Sequence, residues 1–258
     1  MTHFLARTFY NLLLMLLALV DVAKWLWFLV ALTFKKVLSR NASKNNKREW
    51  TWGQKYGLVS WALPYQLLRG KTILVHCASV GEVMGIFPLL RQMMELQPEI
   101  KFVVSTNTLT GKQTLKRLMS ESDKNKIFHL YFPLDLPWFM SRLVKKLQPK
   151  AALIMEVELW PNFIHQCKKN RVPVVVVNAR LTDKTAKGYK KFSWLCKPMI
   201  DSLSMVFVRN NSDKNNYLSL GIDKDKVFLL GNVKFDLPLP SLEKALEHRE
   251  QMALNDRM

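Results

Sequence analysis

The stretch TILVHCASVGE, residues 72–82, decides the fold expected for this chain. Its first half is an apolar run that predicts a buried strand, and its second half turns through small and polar residues to Glu82. Such a strand-to-helix turn lies at the carboxyl edge of a parallel sheet, where open α/β folds bind ligands. A carboxylate there can accept a proton from a substrate hydroxyl. The segment therefore predicts an α/β domain with Glu82 in its ligand site.

The alternation of strand and helix patterns continues along the chain from residue 71. The predicted strands are 72–76, 102–106, 128–132, 151–156, 173–178, 205–208 and 227–230. The predicted helices are 82–96, 111–119, 138–147, 161–170, 185–202 (with a break at Pro198) and 212–220. Continuous apolar strands joined by helices predict a mostly parallel sheet covered on both faces. With right-handed crossovers, this is a Rossmann-like, doubly wound α/β domain.

Composition points to an anionic partner. The 258 residues include 39 Lys and Arg against 20 Asp and Glu, a formal net charge of +19. Such a charge favours nucleic acid, a membrane surface or a phosphorylated substrate. The three cysteines are odd in number and show no metal-ligand spacing, so a reducing compartment is the simplest interpretation.

The amino-terminal segment is mostly apolar over residues 9–34. This is long enough to span about 30 Å of hydrocarbon at about 1.5 Å per residue. Asp21 and Lys24 interrupt it three residues apart, where they share a helix face and can pair. Two shallow amphipathic pieces lying in the membrane interface would avoid burying these charges. We therefore expect a membrane anchor, with spanning and interfacial arrangements both open.

A basic cluster between residues 35 and 55 follows the apolar segment. By the positive-inside rule this side faces the cytoplasm, and the same cations can bind anionic lipid headgroups. The chain then divides into an anchor at 1–35, a basic juxtamembrane junction at 36–70, the α/β domain at 71–236 and a linker at 237–258.

Six motifs in order carry a resemblance to a known family. They are HCASVGE (76–82), STNTLTG (105–111), YFPLDLP (131–137), EVELWPN (156–162), NARL (178–181) and GNVKFD (231–236). This ordered set resembles the amino-terminal half of the 3-deoxy-D-manno-octulosonic acid (Kdo) transferases, which attach Kdo to the lipid A precursor. The resemblance covers nearly the whole chain, from the anchor to about Asp236.

The resemblance implies a metal-independent, inverting glycosyltransferase of the GT-B type that needs no cofactor. In such enzymes a first Rossmann-like domain binds the lipid acceptor and a second binds the donor, CMP-Kdo. By resemblance, Glu82 accepts the proton of the acceptor hydroxyl, while Glu156 and Lys234 stabilise the transition state. The expected acceptor contacts are Ser79, Thr106, Thr108 and Arg180, whose guanidinium suits the phosphates of the precursor.

The implied location is the cytoplasmic face of a bacterial inner membrane, where anionic lipids are further partners. The donor domain expected from the resemblance does not follow residue 258 in this sequence. Since GT-B chemistry takes place between two domains, we expect the 258 residues alone to have negligible transferase activity.

Three alternatives remain open at this point. One is a non-catalytic lipid-A-binding remnant, and another is a different membrane-associated GT-B glycosyltransferase. A basic nucleic-acid-binding protein is the third; the chain shows no recognition helix or aromatic RNA platform, and its apolar amino terminus favours lipid. We therefore expect no nucleic acid among its partners.

Overall fold

A computed structural model describes residues 4–21, 64 and 68–233 of the chain. Within these residues the strands are β1 (Thr72–Cys77), β2 (Lys101–Thr106), β3 (Ile127–Tyr131), β4 (Ala151–Met155), β5 (Val174–Ala179), β6 (Met205–Val208) and β7 (Val227–Leu229). The helices are α1 (Phe4–Asp21), α2 (Val80–Leu96), α3 (Leu109–Leu118), α4 (Pro137–Leu147), α5 (Pro161–Lys169), α6 (Asp183–Lys191), α7 (Ser193–Ile200) and α8 (Asn211–Ser219). Short 3₁₀ turns cover Ser122–Asn125 and Lys224–Lys226.

The strands form one sheet in the order β3-β2-β1-β4-β5-β6-β7. Every neighbouring pair is parallel. The chain therefore builds the sheet outward from β1 to β3 and then returns to place β4 on the other side of β1. This order confirms the doubly wound α/β fold predicted from the sequence.

Two hydrophobic cores lie on opposite faces of the sheet. On β1, Leu74 belongs to one core, which packs against α4, α5, α7 and α8. Its neighbours Ile73 and Val75 belong to the other, which packs against α2 and α3. Because successive side chains of a strand point to opposite faces, an unbroken apolar run is what a sheet covered on both sides requires.

Most predicted element boundaries lie within two residues of those observed, but the break predicted in the helix 185–202 was wrong. The helical stretch divides at Phe192, whose backbone (φ −104°, ψ 37°) leaves the helical region, and Pro198 lies inside α7. Proline is tolerated there because it lies only half a turn before the end of a short helix, so its missing N–H costs one hydrogen bond.

The start of α5 is fixed by the buried carboxylate of Asp135. Its two oxygens accept the backbone N–H groups of Asn162 and Phe163, both at 2.8 Å. These N–H groups belong to the first turn of α5 and have no partners within the helix. Asp135 therefore caps a helix that begins 26 residues later in the chain, which explains one residue of the YFPLDLP motif.

Helix α1 packs against the same region. The Tyr10 hydroxyl donates to Asp135 Oδ2 at 3.0 Å, and Asn162 Nδ2 donates to Asn11 Oδ1 at 2.7 Å. Ala6 is buried. The amino-terminal helix is thus hydrogen-bonded to the α/β domain at the beginning of α5. By length and composition, α1 is also apolar enough to cross a membrane.

Candidate functional site

The order of the strands creates a crevice between β1 and β4. These strands are neighbours in the sheet, while the chain leaves β1 in one direction and β4 in the other. Adjacent crossovers then lie on opposite faces, and the crevice beyond the strand ends is where open α/β folds bind ligands. Glu82 follows β1, and Glu156 and Glu158 follow β4. Three carboxylates therefore surround this crevice, which is the switch point of the sheet, where the direction of strand addition reverses.

Glu82 is held by a capping arrangement at the start of α2. Ser79 is the N-cap residue, and its hydroxyl accepts the backbone N–H of Glu82 at 3.3 Å. The same hydroxyl donates to Glu82 Oε1 at 2.8 Å, and the backbone N–H of Ala78 donates to Oε2 at 2.8 Å. This pattern is close to the reciprocal capping box in which a Glu three residues into the helix bonds back to the cap. The carboxylate is consequently fixed in position.

The surroundings of Glu82 raise the pKa of its carboxyl group. Burial is the largest cause, and the negative charges of Glu156 and Glu158 add to it, while the bonds from Ala78 and Ser79 act in the opposite direction. A raised pKa brings a carboxylate closer to the pH at which a general base is most effective. Only two of its roughly four acceptor sites are used by these bonds, so further donors can be accommodated.

Glu156 lies immediately beyond β4, not within the strand as predicted. Its φ of 56° is left-handed, a conformation that costs a residue other than glycine about 1–2 kcal/mol. Its backbone N–H donates to the Val177 carbonyl at 3.0 Å, so the turn remains attached to β5. The structure therefore holds this carboxylate at the crevice on a strained backbone.

His76 and Glu158 lie close to each other at the switch point. His76 is fully buried and its Nε2 lies 3.8 Å from Glu158 Oε2. Its Nδ1 lies 3.0 Å from the hydroxyl of Ser105, and its ring lies 4.0 Å from that of Phe132 between centroids. Burial lowers the pKa of His76, against the opposing effect of Glu158. The imidazole is therefore favoured in its neutral form and links β1 to the turn after β4.

Thr106 and Thr108 lie at the end of β2 and the start of α3. The buried Thr106 hydroxyl donates to the Thr108 carbonyl at 3.2 Å and lies 2.9 Å from His129 Nε2. Thr108 is the N-cap of α3 and accepts the N–H of Gly111 at 3.1 Å. Burial and two nearby lysines lower the pKa of His129 to about 3. Both threonines thus hold the local fold, and their acceptor contacts stay predictions.

Two of the remaining predicted site residues are exposed near the crevice edge of the sheet, and one lies outside the described residues. Arg180 is exposed just beyond β5, where its guanidinium is available to a ligand. Ser79 is exposed at the N-cap beside Glu82. Lys234 lies outside the described residues, one position beyond Val233. The structure thus brings Glu82, Glu156 and Ser79 to one crevice.

Two further residues of this edge were not assigned a role by sequence reasoning. Glu158 stands in the EVELWPN motif, and a second acidic residue two positions after Glu156 was an available signal. Asn178 is buried at a bulge of β5 with a left-handed φ of 54°. Its Oδ1 accepts the Val233 N–H at 3.4 Å, and its Nδ2 has no partner among the described residues. Asn178 is the first residue of the NARL motif, but its left-handed backbone gives no signal in a single sequence.

Comparison with known proteins gives one matching family model. Residues 50–237 match the model described as 3-deoxy-D-manno-octulosonic-acid transferase (kdotransferase). The matched range contains the crevice and its three carboxylates.

Similar curated proteins carry related names. The chain is 38% identical over 165 residues to a 3-deoxy-D-manno-octulosonic acid transferase of Haemophilus influenzae, covering 64% of this chain and 38% of that protein. It is 32% identical over 188 residues to a bifunctional glycosyltransferase/methyltransferase of Fusobacterium nucleatum, covering 72% and 29% respectively. A transferase of the first name from Chlamydia trachomatis is 29% identical, covering 71% and 41%. The chain thus spans about two fifths or less of these relatives.

Solved structures with a similar arrangement include a UDP-GlcNAc 2-epimerase of Neisseria meningitidis, with a TM-score of 0.49 and 16% identity. That alignment covers 72% of this chain and 52% of the epimerase.

Proposed function

Because the chain belongs to the 3-deoxy-D-manno-octulosonic-acid transferase family, we propose that it forms the acceptor-binding half of a Kdo transferase. The complete enzyme would transfer Kdo from CMP-Kdo to a lipid A precursor, lipid IVA, in lipopolysaccharide biosynthesis. The match over residues 50–237 supports this assignment, as does the doubly wound sheet whose crevice lies within that range. The donor site would lie in a second domain facing the crevice.

The observation that carries the proposal is the carboxylate of Glu82 at the switch point. It is fixed by two hydrogen bonds, retains free acceptor sites, and has a raised pKa. In the proposed step, the acceptor hydroxyl oxygen forms a bond to the anomeric carbon of Kdo, and its proton passes to Glu82. The bond from that carbon to the phosphate oxygen breaks, and CMP leaves with the electron pair. Attack opposite the leaving group inverts the anomeric centre.

Opposite charges develop on the sugar and on the leaving phosphate in the transition state, and Glu156 and Lys234 carry charges that would stabilise them. The oxocarbenium-like sugar gains positive charge, which the nearby Glu156 carboxylate would offset. The departing phosphate gains negative charge, which Lys234 would meet. These groups together would supply the electrostatic stabilisation without a metal ion. Arg180, Ser79, Thr106 and Thr108 would contact the acceptor.

The acceptor is a lipid, so the domain would work at a membrane surface. We propose that the apolar amino terminus holds the chain at the cytoplasmic face of the inner membrane, and that its basic residues contact anionic lipids. The long, apolar α1 supports a membrane anchor, and the net charge of +19 favours an anionic surface.

A hybrid enzyme tests the function directly. Residues 1–236 are joined to the carboxy-terminal half of the Haemophilus influenzae relative and supplied with CMP-Kdo and lipid A precursor, and CMP release is measured. We expect turnover by the hybrid and negligible turnover by the 258 residues alone, since half a cleft cannot position the donor. Robust turnover by the 258 residues alone would contradict the proposal that they form only the acceptor-binding half of the enzyme.

The same hybrid separates a catalytic half from a lipid-binding remnant. A folded hybrid that binds the precursor but releases no CMP would favour the remnant. Transfer that is lost in Glu82→Gln, with the fold unchanged by circular dichroism, would support catalysis through this residue.

A further inference from the structure

Helix α1 has two chemically different faces. One face is buried or half-buried along the helix, and its polar residues are Arg7, Tyr10, Asn11 and Asp21. The apolar Ala6, Leu14 and Ala18 lie on the same face. The opposite face is exposed and apolar: Leu5, Phe9, Leu12, Leu13, Leu16, Leu19 and Val20. Residues three or four apart share a helix face, so the four polar residues lie on one side of α1 and are called its polar stripe. The helix is therefore amphipathic, and its polar side is the inward one.

The polar stripe is attached to the α/β domain by specific hydrogen bonds. Tyr10 donates to Asp135 and Asn11 accepts from Asn162, and both partners belong to the capped start of α5. If α1 crossed a bilayer while keeping these contacts, Asp135 and Asn162 would be drawn to the depth of the hydrocarbon with their polar neighbours. Burying such groups in lipid is costly. Docking of α1 on the domain and insertion across the bilayer are therefore incompatible.

We propose that α1 lies in the plane of the membrane surface, with its polar stripe on the α/β domain and its apolar face in a leaflet of anionic phospholipid. A helix with a large apolar face and a polar face against protein is suited to this interfacial position. The arrangement keeps the amino terminus on the same side of the membrane as the domain. The proposal rests on the membrane association proposed above, but it does not depend on the transferase reaction.

The charges of the side chains beside α1 favour anionic lipid over neutral lipid at this surface. A groove of about 290 Å³ runs between α1, α5 and α7, with apolar walls that include Phe4, Trp194 and Met199. Arg7, Lys168 and His165 also line it, and none of its described lining residues is acidic. Burial lowers the pKa of His165, and Arg7, Lys169 and Lys168 add to this effect. The cations of the groove are therefore Arg7 and Lys168. Cations next to an exposed apolar helix face match a surface of acyl chains and phosphate headgroups.

Immersion depth distinguishes an in-plane helix from an upright one. The full chain is prepared with Cys196→Ser, since Cys77 and Cys167 are buried, and a spin label is placed in turn at Leu5→Cys, Leu12→Cys, Leu16→Cys and Leu19→Cys. In liposomes of phosphatidylglycerol and phosphatidylcholine, all four labels should lie at one depth, about 5–10 Å below the headgroups. An upright α1 would separate the first and last labels by about 21 Å, and such a depth gradient would overturn the proposal.

Sidedness provides a second, independent measurement. In the same cysteine background, Thr2→Cys and the exposed domain position Lys150→Cys are treated with a membrane-impermeant maleimide in spheroplasts and in inverted vesicles. We expect both to react only in inverted vesicles. Reaction of Thr2→Cys only in spheroplasts would show a spanning segment. Recovery of the chain in the soluble fraction would instead refute the membrane association on which the proposal rests.

Two adjacent lysines of α5 test the basic groove. Lys168 lines the groove, whereas Lys169 is equally charged and exposed but does not. Lys168→Ala should weaken partitioning onto phosphatidylglycerol liposomes about fivefold, as expected for one cation near an anionic surface. Lys169→Ala should have a clearly smaller effect. Equal losses for the two variants would contradict a role of the groove in binding. Equal binding to liposomes of phosphatidylcholine alone would contradict the preference for anionic lipid.

Discussion

Glu82 and Asp135 are two carboxylates in closely similar local settings. Each serves the amino terminus of a helix. Glu82 accepts hydrogen bonds from one backbone N–H and one hydroxyl, and Asp135 accepts from two backbone N–H groups and one hydroxyl. Their side chains are nearly inaccessible, at 6% and 1% exposure. Burial raises the pKa of both. Local structure alone would assign them the same role.

Their further neighbours separate them. Three donors occupy Asp135: two N–H groups of α5 and the hydroxyl of Tyr10, so it is enclosed between helices. Glu82 has two donors, faces Glu156 and Glu158, and lies at the crevice between β1 and β4. A buried carboxylate beside a crevice between strands is therefore available for chemistry. A carboxylate that helices enclose has a structural role.

The largest expected effect concerns the rate of transfer. In the hybrid enzyme, Glu82→Gln keeps the size of the side chain and removes the basic oxygen, so kcat should fall about 10²–10⁴-fold, the usual contribution of general base catalysis. CMP release under saturating substrates measures this. If the variant retained wild-type kcat, Glu82 would be a capping residue like Asp135 and the distinction between them would be lost.

Asp135→Ala should give the next largest effect, on stability. Loss of the carboxylate leaves two N–H groups of α5 and the Tyr10 hydroxyl without their acceptor, at a cost of about 3 kcal/mol. Urea unfolding in detergent, followed by tryptophan fluorescence, measures the change. The exposed Asp183, in the first turn of α6, supplies a control: Asp183→Ala should cost less than about 1 kcal/mol.

If Asp135→Ala does not fold, Tyr10→Phe removes only one of the three donors and should cost about 1 kcal/mol. No change in stability in Tyr10→Phe would show that α1 is not held through this carboxylate.

The pH dependence of stability should also identify Asp135. Burial raises its pKa from 3.8 to about 7, so the native protein retains a proton that the unfolded chain releases over this range. The stabilisation is present below about pH 4 and is lost as the pH rises to about 7. Relative to Asp135→Asn, the free energy of unfolding should fall by about 2 kcal/mol between pH 5.5 and 7.

The comparison with Asp135→Asn is necessary because His129 acts in the opposite direction. The pKa of His129, about 3, lies below the ordinary value, so its contribution to the free energy of unfolding is lost as the pH falls. A flat difference curve between wild type and Asp135→Asn would contradict the raised pKa of Asp135.

Ser79→Ala should give the smallest effect. It removes the N-cap hydroxyl of α2 and one bond to Glu82, which should cost about 1 kcal/mol of stability. The carboxylate itself remains, so kcat of the hybrid should change only a few-fold. A loss as large as that of Glu82→Gln would show that the cap, more than the carboxylate, determines activity.

The sequence predicted the sheet well because its strands are buried on both faces. Runs such as residues 72–76 are apolar at every position, and turn residues mark their ends. The same reasoning located Glu82 at a helix start. It misplaced the break near Pro198, since the observed break at Phe192 depends on backbone geometry that no breaker residue marks.

The parts of the site that could not be predicted depend on contacts between distant segments. Asp135 belongs to the YFPLDLP motif, yet its partners Tyr10 and Asn162 lie far from it in the chain. The pairing of His76 with Glu158 likewise requires β1 and β4 to be neighbours. Spacing along one sequence does not contain this information, because strand order decides it.

The left-handed backbone at Glu156 has a consequence for how this chain can change over generations. Glycine adopts that conformation without steric penalty, so Glu156→Gly would relieve the backbone strain. A chain selected for low backbone strain alone would therefore accept glycine here, and a need for the carboxylate opposes that replacement. An acid kept at this turn in related chains would thus be a record of selection for the side chain itself, at a position where the backbone conformation alone favours glycine.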